Sequence, residues 1–224
     1  MRRLWRENSL SIVFLGLFLA ALSGQAWAGW HEFNDDALSH HEHTISLGHY
    51  LVSSSFGNAV MENWQSEYLQ FTLYILLTVW FVQRGSPESK ELGKEGRESD
   101  ADQLVGEHAK ASSPAWARAR GLRLSLYSHS LVLVMATIWL LSWFAQSVTG
   151  WSDYNSDQLV HGEHALSYWQ FLGTAHFWEG TLQNWQSEFL AVGSMAVLAI
   201  YLRERGSPES KPVGSPHTAT GTEG

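Results

Sequence analysis

The sequence predicts an all-α integral membrane protein with four transmembrane helices, built from a tandem duplicated helical hairpin. Three observations predict it: two runs recur at one constant offset, apolar residues gather in four blocks, and basic residues occupy only alternate connections. Asn63-Trp64-Gln65-Ser66-Glu67 returns as Asn184-Trp185-Gln186-Ser187-Glu188, and Arg84-Gly85-Ser86-Pro87-Glu88-Ser89-Lys90 as Arg205-Gly206-Ser207-Pro208-Glu209-Ser210-Lys211. Both pairs are 121 residues apart (184 − 63 and 205 − 84). The same register aligns Gly29-Trp30 with Gly150-Trp151, Asn34 with Asn155, His40 with His161, Glu42-His43 with Glu163-His164 and Phe56 with Phe177. Residues 8–93 and 129–214 therefore read as two copies of one unit, a pattern that has to be recognised before elements are assigned.

The first repeat occupies residues 1–93. Residues 8–30 carry no charge and predict a span over about 9–29, since a crossing helix needs roughly 20 mostly apolar residues. Arg2, Arg3 and Arg6, the apolar run and Ala26-Trp27-Ala28 also have the form of a secretory signal. The register with the third block, which cannot be a cleaved signal, favours an uncleaved helix. The second apolar block, 68–83, is short for a crossing. Extended back through the Asn-Trp-Gln-Ser-Glu run, it gives a span over about 63–83. Glu67 would then lie one turn inside the boundary, and Trp64 at headgroup level, where tryptophan is favoured.

Residues 94–123 form a linker rich in Gly, Ser, Glu and Lys, with Trp116 as its one aromatic residue and charges alternating in sign. It reads as disordered. The second repeat, 124–205, predicts spans over about 128–150 and 184–203, and the tail 206–224 reads like the linker. Each return helix should end with Arg84 or Arg205 at its C-terminal dipole, a glycine cap and a proline two residues on. Residues 46–62 and 167–183 mix apolar and polar side chains. They predict amphipathic helices on the outer surface that either bend at Gly57 or Gly180 or run straight into the return helices.

All 14 lysines and arginines lie in the N-terminus, between residues 84 and 123, or from residue 203 onward, and none between 31 and 62 or between 152 and 183. The 22 acidic residues fall on both sides in equal shares, so the asymmetry belongs to the basic residues. By the positive-inside rule the termini and linker are cytoplasmic and the two histidine-rich loops face outward. The repeats are then parallel, related by a pseudo-twofold axis along the membrane normal. The implied surroundings are the lipid bilayer, with a homo-oligomer or another membrane protein as partner.

Composition removes several function classes. The 224 residues include no cysteine, which excludes disulfides, cysteine-ligated zinc, iron–sulfur clusters and thiol catalysis. A net charge of −8 argues against nucleic acid. The mean hydropathy of −0.15 would suit a soluble protein, but polar connections set that average. No phosphate loop, nucleophile elbow or dinucleotide fingerprint is present, so no catalytic residue and no cofactor are predicted.

Two constellations could carry chemistry. Asn63, Glu67, Asn184 and Glu188 form a polar cluster at the predicted membrane boundary. Ionisable groups there are costly and often functional. Two glutamates brought together by the pseudo-twofold would suit proton- or cation-linked transport, while the structural alternative is that Asn and Gln cross-link helices. The second constellation is the string His40-His41-Glu42-His43 with His161-Gly162-Glu163-His164. Its imidazoles His40, His43, His161 and His164 could bind a divalent transition metal such as zinc, copper or nickel. The spacing is not that of a zincin, and a near copy, Asp102 to Ala109, lies in the linker.

Arg2-Arg3 leading to Gly29-Trp30, the Glu62–Gln70 stretch and the Arg-Gly-Ser-Pro-Glu-Ser-Lys ends together resemble a family of small bacterial membrane proteins known as a domain of unknown function. Its hallmark is Asn-Trp-(Glu or Gln)-Ser-Glu-Phe-Leu, with Gln65 and Gln186 in the variable place. The resemblance implies a bacterial inner-membrane location and no particular activity. It leaves a non-enzymatic membrane bundle or envelope component as the preferred reading.

Overall fold

The computed structural model describes residues 2–221, and among them there is no β-strand. Seven α-helices follow in order: α1 Arg2–Ser39, α2 Leu47–Tyr50, α3 Ser54–Trp80, α4 Leu122–Ser128, α5 Ser130–Val160, α6 Tyr168–Phe171 and α7 Ala175–Tyr201. Two short 3-10 turns, Gly106–His108 and Ala115–Arg118, punctuate the stretch between α3 and α4.

Two helices, α1 over Arg3–Ser39 and α5, are long and apolar enough to cross a membrane, where the sequence predicts four. The other two long helices, α3 and α7, have 27 residues each, so length is not what they lack. Their first halves carry the Asn-Trp-Gln-Ser-Glu runs, and those polar residues dilute the apolar second halves.

Helix ends also move relative to expectation. α1 continues ten residues past 29 and α5 ten past 150, because the residues that follow are helix-compatible and tied down by hydrogen bonds. α1 bends at Asn8, whose backbone leaves the helical region and whose side-chain amide donates to the Leu4 carbonyl at 3.1 Å. α3 and α7 are continuous through Gly57 and Gly180, so neither glycine is a bend. Both return helices stop before the Arg-Gly-Ser-Pro-Glu-Ser-Lys motif. Gly85 and Gly206 take positive φ in the turn beyond and are not the helix caps.

The described residues divide into two compact units, 2–61 with 145–177 and 62–144 with 178–221. In the first, the loop after α1 is fastened by two side chains. Trp30 Nε1 donates to the Ile45 carbonyl at 2.7 Å and Asn34 Nδ2 to the same oxygen at 3.0 Å, while Ile45 N donates to Asn34 Oδ1 at 2.8 Å. After α5, Trp151 and Asn155 hold Leu166 through the same three bonds at 2.7, 2.9 and 2.8 Å. Ser46 and Ser167 then cap the one-turn helices α2 and α6, Ser167 in a capping box with Gln170.

Packing in this unit uses glycine for close approach. A Cβ on Gly29 would strike the Tyr50 hydroxyl, and one on Gly150 would come within 2.7 Å of Asn58 Oδ1 and 3.4 Å of Phe171. Tyr50 stacks between Phe33 and Phe56 at 5.7 and 5.5 Å, and Phe171 between Tyr154 and Phe177 at 5.6 Å each. Such tilted aromatic pairs add to the burial of their faces.

In the second unit, serines of the Arg-Gly-Ser-Pro-Glu-Ser-Lys motif take up backbone donors freed where the helices end. Gln83 N donates to Ser89 Oγ at 2.8 Å and Glu204 N to Ser210 Oγ at 2.9 Å. Arg203 serves the last carbonyls of α7, donating to Ala199 at 3.3 Å and Ile200 at 3.1 Å, and to Leu202 just beyond the helix at 2.8 Å. This is the dipole role expected of Arg205. The tail is bound back through Lys211, whose buried ammonium donates to the carbonyls of Gly85 at 2.6 Å, His217 at 3.0 Å and Ala219 at 3.2 Å.

Candidate functional site

The four residues Asn63, Glu67, Asn184 and Glu188 all lie in the second unit, where Asn184 bonds to residues outside that set. Asn184 Nδ2 donates to Glu62 Oε1 at 3.1 Å and to its own helix at the Gly180 carbonyl at 2.9 Å. Gly180 makes room for that carboxylate, since a Cβ there would lie 2.6 Å from Glu62 Oε1. Next to this pair, Trp185 Nε1 donates to Gln65 Oε1 at 2.7 Å. Gln65 is 0 % exposed, and its Nε2 turns back to the Glu62 carbonyl at 3.1 Å. Trp185 also packs on Trp143, itself against Trp139 and Trp178.

Of the four predicted residues, Asn63 and Glu67 are exposed and Asn184 and Glu188 half-buried. Glu62 and Gln65 were not singled out by sequence reasoning. No sequence signal marks either one: Gln65 matches Gln186 across the offset, and Glu62 differs from Gln183 only as every position from 57 to 62 differs from its counterpart. A groove of about 300 Å³ opens in the same unit, lined by Gln70, Tyr74, Glu88, Ala191 and Met195 among others. At its edge Tyr74 donates its hydroxyl to the Glu88 carboxylate.

The histidine strings lie in the first unit, just past the ends of α1 and α5. Their imidazoles His40 and His161 come together, with ring centroids 5.5 Å apart at 71°. Each Nδ1 faces the backbone carbonyl four residues earlier, Asp36 at 3.0 Å and Asp157 at 2.9 Å. The hydrogen bond to Asp157, and then the charge of its carboxylate, raise the pKa of His161 above the ordinary imidazole value. His43 and His164 are exposed. Among the described residues no group of three or more His, Cys, Asp or Glu side chains is disposed to hold a metal ion.

Asp153 and Asp157, which the sequence offers as oxygen ligands beside the histidine strings, lie in this unit with Tyr50 and His176, which it does not point to. Burial, and then the charge of Asp157, push the Asp153 carboxyl above its usual range, against the opposing effect of His176. Tyr50 is raised too, by burial first and then by Glu32 and Asp153. Glu32 and Asp153 stand at the 121-residue offset, but His176 corresponds to Ser55. Only the folded chain puts that histidine beside Tyr154, at 5.1 Å between rings.

These features define an all-helical protein with two helices apolar enough to cross a membrane and no recognisable catalytic constellation among the described residues. The family described as Domain of unknown function (DUF6766) matches residues 1–222, and the chain belongs to that family. No curated protein and no solved structure matches it.

Proposed function

We propose that the protein is a non-enzymatic, multi-pass component of the bacterial cytoplasmic membrane. Its two hairpin repeats supply four spans in a parallel arrangement, with both termini and the central linker in the cytoplasm. The observation that carries this reading is where the apolar side chains of α1 and α5 point. Only 6 % of the most apolar stretch of α1 and 17 % of that of α5 is buried within the chain. A core helix of a soluble protein would be mostly covered. Here Leu10, Phe14 and Leu17 on α1, and Leu131, Leu141 and Phe144 on α5, are exposed. Apolar surface on that scale calls for lipid or a partner.

The basic-residue asymmetry supports the orientation, and the polar halves of α3 and α7 fit spans that reach lipid only over their second halves. The experiment is alkaline-carbonate extraction of bacterial membranes combined with reporter fusions after residues 42, 105, 163 and 221. Retention in the membrane, with outward signal only at 42 and 163, is the expected result. Release by carbonate removes the reading, and N-terminal sequencing that begins near residue 29 replaces the first span with a cleaved signal.

A second reading is favoured by one observation, that Glu188 is half-buried in the same unit as Glu67. In it the pair supports proton- or cation-linked transport. Purified protein in liposomes with an internal pH dye would then pass protons down a cation gradient. Glu67→Gln with Glu188→Gln would abolish the flux at unchanged yield. A collapse of yield instead assigns the pair to structure.

A further inference from the structure

We propose that His40 and His161 form a two-histidine clasp for a divalent transition-metal cation, joining the ends of α1 and α5. The ring geometry is the first support. Two imidazoles sharing a tetrahedral metal through Nε2 bonds of about 2.0–2.1 Å have centroids roughly 5 Å apart. His40 and His161 already stand at 5.5 Å.

The protonation state of each ring is the second. A backbone carbonyl can only accept, so each Nδ1 facing one carries the proton, and Nε2 is left with the lone pair a metal requires. The carboxylates of Asp36 and Asp157 lie behind the same nitrogens at 3.6 and 3.4 Å. An Nδ1–H held by a carbonyl and a carboxylate is the outer-shell arrangement that orients metal-binding histidines and raises their basicity.

Position is the third. Both histidines directly follow the last residues of long helices, where the dipole's negative end favours a cation. The carboxylates of Asp36 and Asp157 beside the rings add to the attraction. Imidazole ligands with water completing the shell suit zinc, copper or nickel rather than magnesium or calcium. His43 and His164 have no part in the clasp.

The test uses untagged, full-length protein in detergent, titrated with Zn²⁺ by calorimetry and with Cu²⁺ by electron paramagnetic resonance. One saturable site per chain is expected, with nitrogen couplings in the copper spectrum and a rise in Tm with added metal. His40→Ala and His161→Ala should each weaken binding at least about tenfold. The His43→Ala/His164→Ala double variant should leave it unchanged. Because both clasp histidines are exposed, the Tm of the metal-free variants should match wild type, which separates lost ligation from lost folding. Absence of a saturable site overturns the proposal, as does binding that persists in the His40→Ala/His161→Ala double variant or disappears only without His43 and His164.

Discussion

The fastened loops after α1 and α5 and the two Asn-Trp-Gln-Ser-Glu runs are both pairs of matching sequences, yet they fold differently. In the loops, Trp30, Asn34 and Ile45 make bonds that Trp151, Asn155 and Leu166 reproduce to within 0.1 Å. In the runs, five identical residues meet unlike surroundings. Gln65 and Ser66 are 0 % and 1 % exposed, whereas Gln186 and Ser187 are exposed. The difference follows from how far each motif reaches. The loop clamp is closed within fifteen residues, so its sequence carries all its partners. The run depends on partners elsewhere in the chain, and those differ: only Gly180 admits a carboxylate, and only Glu62 supplies one.

The sharpest way to break this comparison is at the clamps. Asn34→Ala and Asn155→Ala each strand a backbone donor and remove one of the two bonds to the carbonyl that the tryptophan still serves, and each should cost about 2–3 kcal/mol, equally for the two. Chemical denaturation in a mild detergent measures both, and a clear inequality would end the claim of equivalent loops. Next in size, Gln65→Ala leaves the Nε1 of half-buried Trp185 without its acceptor and should cost about 1–3 kcal/mol. Gln186→Ala should fall within about 0.5 kcal/mol of wild type. Equal losses at those two positions would mean that the runs are packed alike.

A smaller effect is expected at Gly180→Ala. Ala gains up to about 1 kcal/mol in helix propensity, and the Glu62 carboxylate must swing away from Asn184, so stability should barely move. Glu62→Gln should then matter less in the Gly180→Ala background than in wild type, a non-additivity that a double-mutant cycle detects. The smallest effect concerns Asp153. Its folded-state pKa is raised, so the folded protein holds this proton more tightly than the unfolded chain, and stability falls as pH rises from about 4. Asp153→Asn should raise Tm at pH 7 and lose that advantage below the ordinary aspartate range. A gain that is the same at both pH values would assign it to packing.

Much of the local structure was legible. The apolar runs mark α1 and α5, and the offset aligns Trp30 and Asn34 with Trp151 and Asn155, but that these side chains fasten the loops came only from the structure. The return helices were legible in place but not in apolar character, because adding Asn-Trp-Gln-Ser-Glu gives them length and removes hydropathy at once. Helix caps were misplaced by several residues, since Ser89, Ser210 and Arg203 satisfy the ends of α3 and α7 from outside the expected cap positions. Among the candidate sites, the sequence named His40 and His161 together with His43 and His164, and only the first two meet.

The sequence by itself determined the helical elements, the register between the two halves and the segregation of basic residues, because hydrophobic periodicity, local hydrogen bonding and charge placement all act over short stretches of chain. Only the tertiary structure decided that Asn184 answers Glu62 and Trp185 answers Gln65, that His176 packs beside Tyr154, and that His40 stands beside His161. Those pairings are made by residues far apart in the chain, and which of two identical side chains is buried depends on the shape of a neighbour such as Gly180 rather than on its own identity.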